Sequence, residues 1–120
     1  MNKKEYNMTN NVHIKQGKDF VEYHKVVSKL ADKYIPVGGT MLDIGCGMGN
    51  IEFILNSNRA DIKVVVADPY ENCLIETKRK VNSVKTINIG TECIDRDSLG
   101  DEYDVVIMCH SLEHMKCPAL

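Results

Sequence analysis

The sequence predicts an α/β domain built on a parallel sheet, and three observations predict it. Segments with helical spacing of apolar residues alternate with short runs of strand formers. Two of those runs, Ile62 to Ala67 and Tyr103 to Cys109, are nearly all apolar, as strands buried on both faces of a parallel sheet are. A glycine-rich turn, MLDIGCGMGN at residues 41–50, follows the first strand directly, at the end of the sheet where such folds open their ligand crevice.

Each element has its own signal. Residues 1–16 carry little apolar periodicity and are expected to be loose, which leaves 17–120 as one domain. From Lys18 to Tyr34, the residues Phe20, Tyr23, Val27, Leu30 and Tyr34 recur at spacings of three and four, the inner face of an amphipathic helix. Pro36 and the pair Gly38-Gly39 end it. Thr40 to Ile44 is a short buried strand running into the glycines. Asn50 is placed to cap the next helix, with Ile51, Ile54 and Leu55 inward. Ile62 to Ala67 is the second strand, closing on Asp68-Pro69. Residues 71–81 read as a helix, with Cys73-Leu74 and Thr77-Lys78-Val81 at helical spacing. Val84 to Ile89 is a third strand, Tyr103 to Cys109 a fourth, and His110 to Lys116 the start of a further helix. The crossovers between parallel strands are right-handed.

Composition excludes several classes. At 43% hydrophobic and 27% charged, the 120 residues suit a globular domain rather than a disordered tail. No window approaches the roughly eighteen apolar residues of a membrane span, and the polar start MNKKEYNMTNNVHIKQ lacks an apolar signal core, so the expectation is a cytoplasmic protein without a membrane partner. A net charge of −2 gives no general attraction to nucleic acid. The first 35 residues hold seven lysines against four acids, which reads as a solvated helix face. Five cysteines without a CxxC spacing fit reduced thiols.

The glycine turn is the informative motif. GxxxxGK[ST] is absent, and the dinucleotide fingerprint GxGxxG would need glycine where Asn50 stands. The actual spacing is D-x-G-x-G-x-G: Asp43, Gly45, Gly47, Gly49. Glycines let a ligand approach the backbone. A carboxylate a few ångströms away repels a diphosphate in a partly buried site, and tolerates a ligand with a cationic end. Asp68, 25 residues after Asp43, ends the second strand, where a carboxylate can accept both hydroxyls of a ribose. An NAD site uses the same device, so it is Asp43 and the glycine spacing that point to S-adenosylmethionine.

With these residues in place, the sequence resembles a class I S-adenosylmethionine-dependent methyltransferase. MLDIGCGMGN is similar to that family's first motif, VVVADPY to its acidic second motif, and YDVVIMCHSLEHM to its fourth strand and the following turn, with HSLEHM like that of small-molecule, quinone-biosynthesis enzymes. The resemblance covers residues 40–116 and implies a Rossmann-like parallel sheet in strand order 3-2-1-4. The family's sheet normally continues to seven strands in the order 3-2-1-4-5-7-6, so this chain is expected to be the cofactor-binding part, lacking the last three. The resemblance implies that Gly45, Cys46, Gly47 and Gly49 line the cofactor, with Asp43 near its amino-acid end and Asp68 on the ribose. Pro69 or Tyr70 would cover the adenine. The position after strand three that the family fills with an acid falls on Thr91 or Glu92.

His110 is the candidate general base, needed only if the acceptor must lose a proton. Cys109, His110, His114 and Cys117 have the spacing C-H-x3-H-x2-C, but a strand end and a proline separate the outer pair, and no metal is expected. The glycines have a plainer reading as a tight strand-to-helix turn, and Asp68 as a helix cap. Two functions follow: methyl transfer to a small-molecule acceptor, or a non-catalytic module that binds the nucleoside. With strand four at the edge of the sheet, self-association through Tyr103 to His114 is also expected.

Overall fold

The computed structural model describes residues 18–89, 99–100 and 102–108. Helix α1 spans Lys18–Tyr34, strand β1 Thr40–Ile44, helix α2 Asn50–Asn58, strand β2 Lys63–Asp68, helix α3 Glu71–Lys80, strand β3 Lys85–Asn88 and strand β4 Val105–Ile107. The four strands form one sheet in the order β3-β2-β1-β4, with every pairing parallel, as the sequence reading requires. β3 and β4 are shorter than the predicted spans Val84 to Ile89 and Tyr103 to Cys109, and Cys109 lies outside the described residues, as do 1–17.

Register decides which side chains meet the helices. Met41 and Asp43 pair with Val64 and Val66 of β2 and with Val105 and Ile107 of β4, so these six share one face of the pleat. Among the described residues, that face carries α1, α2 and α3. Met41 packs with Ala31 and Ile35 at the end of α1, Ile51 and Leu55 of α2, and Ile107. Val66 packs with Leu74 of α3 and with Val81 and Val84 just beyond it. The opposite face, with Leu42, Ile44 and Ala67, is covered by Leu99 and Tyr103 among the described residues.

The face of α1 differs from the one its spacing predicts. Leu30 and Tyr34 are 53% and 64% exposed, and the buried residues are His24, Ser28 and Ala31, followed by Ile35. Val27 packs beside them, and the Phe20 side chain lies outside the described residues. The reason is close approach. Ser28 Oγ donates to the His24 carbonyl at 2.7 Å and lies 3.3 Å from the Ile51 carbonyl of α2. Small side chains at 28 and 31 let α1 lie against α2, where a face of leucine and tyrosine would hold it away.

Arg59, just after α2, clasps the end of α1 and the segment that follows it. Its guanidinium donates to the carboxylates of Asp32 and Asp61 and to the carbonyls of Asp32, Ile35 and Pro36. Asp61 also accepts the Gly38 N–H, and these bonds, Arg59 first, hold its carboxyl below the usual carboxylate range. At the other side, Asp104 accepts the Thr40 N–H at 2.8 Å, tying the approach to β4 onto β1.

β4 pairs only with β1 among the described residues, and Val106 is 54% exposed on this edge. No helix among the described residues is long and apolar enough to cross a membrane.

Candidate functional site

The site grows from the carboxyl ends of β1 and β2. β1 delivers the chain at Ile44 into a turn whose three glycines all take positive φ: 80° at Gly45, 58° at Gly47 and 79° at Gly49. Residues with a Cβ enter that region at a cost, which is why the turn alternates glycine with other residues. Each glycine amide has an acceptor within the protein. Gly45 donates to the Ala67 carbonyl (2.7 Å), Gly47 to Asp68 Oδ2 (3.2 Å) and Gly49 to the Cys46 carbonyl (3.1 Å). A phosphate cradle works by aiming free amides at the anion. These three amides are turned inward instead.

Asp68 is fully buried at the end of β2. It accepts the Gly47 N–H on one oxygen and the Tyr70 N–H (2.9 Å) on the other, so it braces the first turn and the start of α3 together. A carboxylate has about four lone-pair positions, so a ribose hydroxyl can still be accepted alongside. The N-cap of α3 is Tyr70, without a side-chain cap. The capping role foreseen for Asp68 becomes the bond to Tyr70 N–H. Pro69 and Tyr70 are half-buried beside it.

Two expectations about α2 are corrected. Its N-cap is Gly49, without a side-chain cap, and Asn50 is the first helical residue. Asn50 Oδ1 instead accepts from Lys80 Nζ at 2.9 Å, linking α2 to α3. The residue buried between Ile51 and Leu55 is Glu52, while Ile54 is only half-buried. Gly49 is also more than a lining residue. A Cβ there would lie 2.7 Å from Thr77 Oγ1 and 2.9 Å from Thr77 Cα, so α3 packs directly on the turn.

Thr77 is fully buried and its hydroxyl lies 2.8 Å from the Cys73 carbonyl, 3.2 Å from the Gly47 carbonyl and 3.5 Å from Cys46 Sγ. Thr77→Val keeps the shape and removes the hydroxyl. It is expected to cost about 1 kcal/mol, the usual net worth of one hydrogen bond, read as a lowered unfolding midpoint.

The electrostatics are acidic. Asp43 (2% exposed) and Glu52 (1%) are both buried on the helix-covered face beneath the turn. Burial raises the Asp43 pKa to about 6. Glu52 is pushed well above the carboxylate range, first by burial and then by the charge of Asp43. Burial, with Glu52, Asp68 and Asp43 nearby, also pushes the Cys46 thiol up, so it stays protonated and is no nucleophile. His24 of α1 faces the same region, its pKa lowered to about 4 by burial and by the charge of Lys80.

The structure therefore brings together Asp43, Gly45, Cys46, Gly47, Gly49 and Asp68 around one turn, with Pro69 and Tyr70 alongside. Thr91, Glu92 and His110 lie outside the described residues, as do Cys109, His114 and Cys117. No group of histidine, cysteine and acidic residues among the described residues is arranged to hold a metal. Glu52, Thr77 and Lys80 were missed by the sequence reading. Glu52 had a signal, since 51, 52 and 55 form one helical stripe, but an acid in a helix's first turn ordinarily faces water.

A protein-family model described as "Methyltransferase domain" matches residues 16–120. A search of curated proteins found no match. Among solved structures, the chain is similar to a TehB-like SAM-dependent methyltransferase from Corynebacterium glutamicum, with a TM-score of 0.67, 20% identity, and coverage of 92% of this chain and 56% of that one. It is also similar to CalS10, an amino pentose methyltransferase from Micromonospora echinaspora with SAM bound (TM-score 0.66, 16% identity, 92% and 48% covered). Magnesium protoporphyrin IX methyltransferase from Synechocystis, again with bound SAM, matches at a TM-score of 0.59 with 26% identity, covering 78% and 46%. The chain thus spans about half the length of these structures.

Proposed function

The chain belongs to the methyltransferase-domain family, and from that premise we propose that it binds S-adenosylmethionine at the glycine turn, as the cofactor-binding part of an enzyme that methylates a small-molecule acceptor. The observation that carries this reading is the turn's polarity. Its three glycine amides are spent on internal acceptors, and three buried carboxyls, Asp43, Glu52 and Asp68, stand around it. Such a site suits a nucleoside with a cationic end and disfavours a diphosphate.

In this reading Gly45, Cys46 and Gly47 lie along the cofactor, Asp68 accepts from the ribose hydroxyls and Asp43 answers the cationic amino-acid end. Pro69 or Tyr70 covers the adenine, and Thr91 or Glu92 meets its amino group. The bound cofactor supplies a methyl group on a sulfonium, already a good leaving group. The protein's task is to hold the acceptor in line with it. His110 is the proposed base for acceptors that must lose a proton. The likeness of the fold to small-molecule methyltransferases supports a small-molecule acceptor. A reducing, cytoplasmic setting fits Cys46, a free cysteine.

Calorimetry with S-adenosylhomocysteine, run beside NAD, tests the reading. Saturable binding of the first and none of the second is expected. The reverse preference would make the turn a dinucleotide site.

We also propose that copies of the chain associate through β4. Its outer edge is unpaired among the described residues, and Val106 is half-exposed on it. Val106→Lys removes one valine's burial, worth about 1.5–3 kcal/mol, and sets like charges against each other. The dissociation constant read by light scattering over a dilution series should rise at least about tenfold. A wild-type chain that stays monomeric at high concentration would refute the association.

A further inference from the structure

The unexplained feature is Glu52. It sits in the first turn of α2, fully buried, with Asp43 of β1 as its carboxyl neighbour. Asp43 Oδ2 and both carboxyl oxygens of Glu52 have no hydrogen-bond partner among the described residues when both groups are ionised. Two carboxylates offer only acceptors, and neither can satisfy the other. The surrounding elements do not neutralise them. From α1 comes His24, neutral above about pH 4, and from β4 the apolar Ile107, opposite Asp43 in register. From β2 comes Asp68 and from the turn the protonated Cys46. From α3 comes Lys80, whose ammonium bonds to Asn50 Oδ1 and makes no ion pair with either acid.

One proton resolves the conflict. Placed on Glu52, it supplies the missing donor, and Asp43 accepts. A buried acid pair that shares a proton is one charge short of what it would carry beside a cation. Resting on the reading of the turn as an S-adenosylmethionine site, we propose that Glu52, acting through Asp43, is a positioning residue that makes binding of the cofactor's cationic end release a proton. With the turn empty, the pair holds one proton and one negative charge. When the cation arrives, the O–H bond of Glu52 breaks, the proton leaves to the buffer and both carboxyls are ionised against the ligand. The pair thereby selects for a cationic end over the same nucleoside without one.

The same pair governs the unliganded chain's stability. Both folded-state pKa values lie above the unfolded ones. Their contribution is therefore fully present below the unfolded carboxyl pKa and is lost as pH rises through about 6 and beyond. His24 acts in the opposite sense. Its folded pKa of about 4 is below its unfolded 6.5, so its contribution is lost as pH falls from 6.5 toward 4. Measurements from pH 6.5 to 8 therefore leave out the titration of His24.

The test uses the full chain and Glu52→Gln, whose amide donates to Asp43 but cannot titrate. Calorimetry of S-adenosylmethionine near pH 6.5, in two buffers of different ionisation enthalpy, counts protons. Wild type should release a measurable fraction of a proton, Glu52→Gln none, and adenosine none with either protein. The ligand's own ammonium is present in both titrations, so the difference between the two proteins reports the effect of the Glu52 carboxyl. In unliganded melts, the midpoint of Glu52→Gln should gain on wild type between pH 6.5 and 8. Equal proton release from the two proteins, or none from wild type, overturns the proposal while leaving S-adenosylmethionine binding intact. Failure of wild type to bind S-adenosylmethionine at all sinks both that reading and the linkage, and a midpoint gap that stays constant with pH shows that the pair holds no shared proton.

Discussion

Gly49→Ala is expected to lower the stability of the chain by about 2–5 kcal/mol. Two costs add. The position has φ 79°, where an alanine loses roughly 1–2 kcal/mol relative to glycine. The new Cβ would also lie 2.9 Å from Thr77 Cα and 2.7 Å from its hydroxyl oxygen. A side chain can rotate away, but a helix backbone cannot, so α3 must shift, and overpacking of this kind costs about 1–3 kcal/mol. At roughly 4–8 °C per kcal/mol for a domain of this size, the melting midpoint should fall by about 8 °C or more. Gly38→Ala is the control. Its φ is similar, 72°, but nothing lies within 4 Å of its added Cβ, so only the backbone term applies. Equal losses at the two positions would mean that α3 does not press on the turn as described.

Asp68→Ala is expected to weaken S-adenosylmethionine binding by at least about 1.5 kcal/mol, or roughly tenfold, the low end for losing a hydrogen bond to a charged group. The structure adds a second consequence. Asp68 accepts the Gly47 and Tyr70 amides, so alanine also leaves those donors without their carboxylate and should destabilise the empty chain by about 1–3 kcal/mol. Asp68→Asn separates the two effects. It retains an acceptor for one amide and should recover part of the stability, while its NH2 group cannot accept a ribose hydroxyl. Calorimetry at a temperature where all three proteins are folded gives the binding term. A dissociation constant unchanged in Asp68→Ala would remove the ribose role and leave Asp68 as a brace between two turns.

Much of this molecule was legible in its sequence. The alternation of helical and strand patterns determined a parallel α/β sheet, and the glycine spacing with its two aspartates singled out the turn after β1 as the candidate site. These are properties of short segments. Periodicity and backbone freedom act over a few residues, so Thr40–Ile44, Asn50–Asn58 and the turn between them were readable without knowing their neighbours. What the tertiary structure alone decided is what those segments face. α1 turned His24, Ser28 and Ala31 inward in place of Leu30 and Tyr34, because close approach to α2 depends on small residues and not on apolarity. Gly49 proved to be constrained by Thr77, a residue 28 positions later in sequence. The glycine amides could have been a phosphate cradle until their acceptors on Ala67, Asp68 and Cys46 were known. Glu52 reads in sequence as a solvated first-turn acid, and only the packing of α2 on β1 buries it beside Asp43. The physical reason is the same in each case: burial, charge coupling and steric contact are set by neighbours in space, and a linear pattern carries no record of which residues those will be.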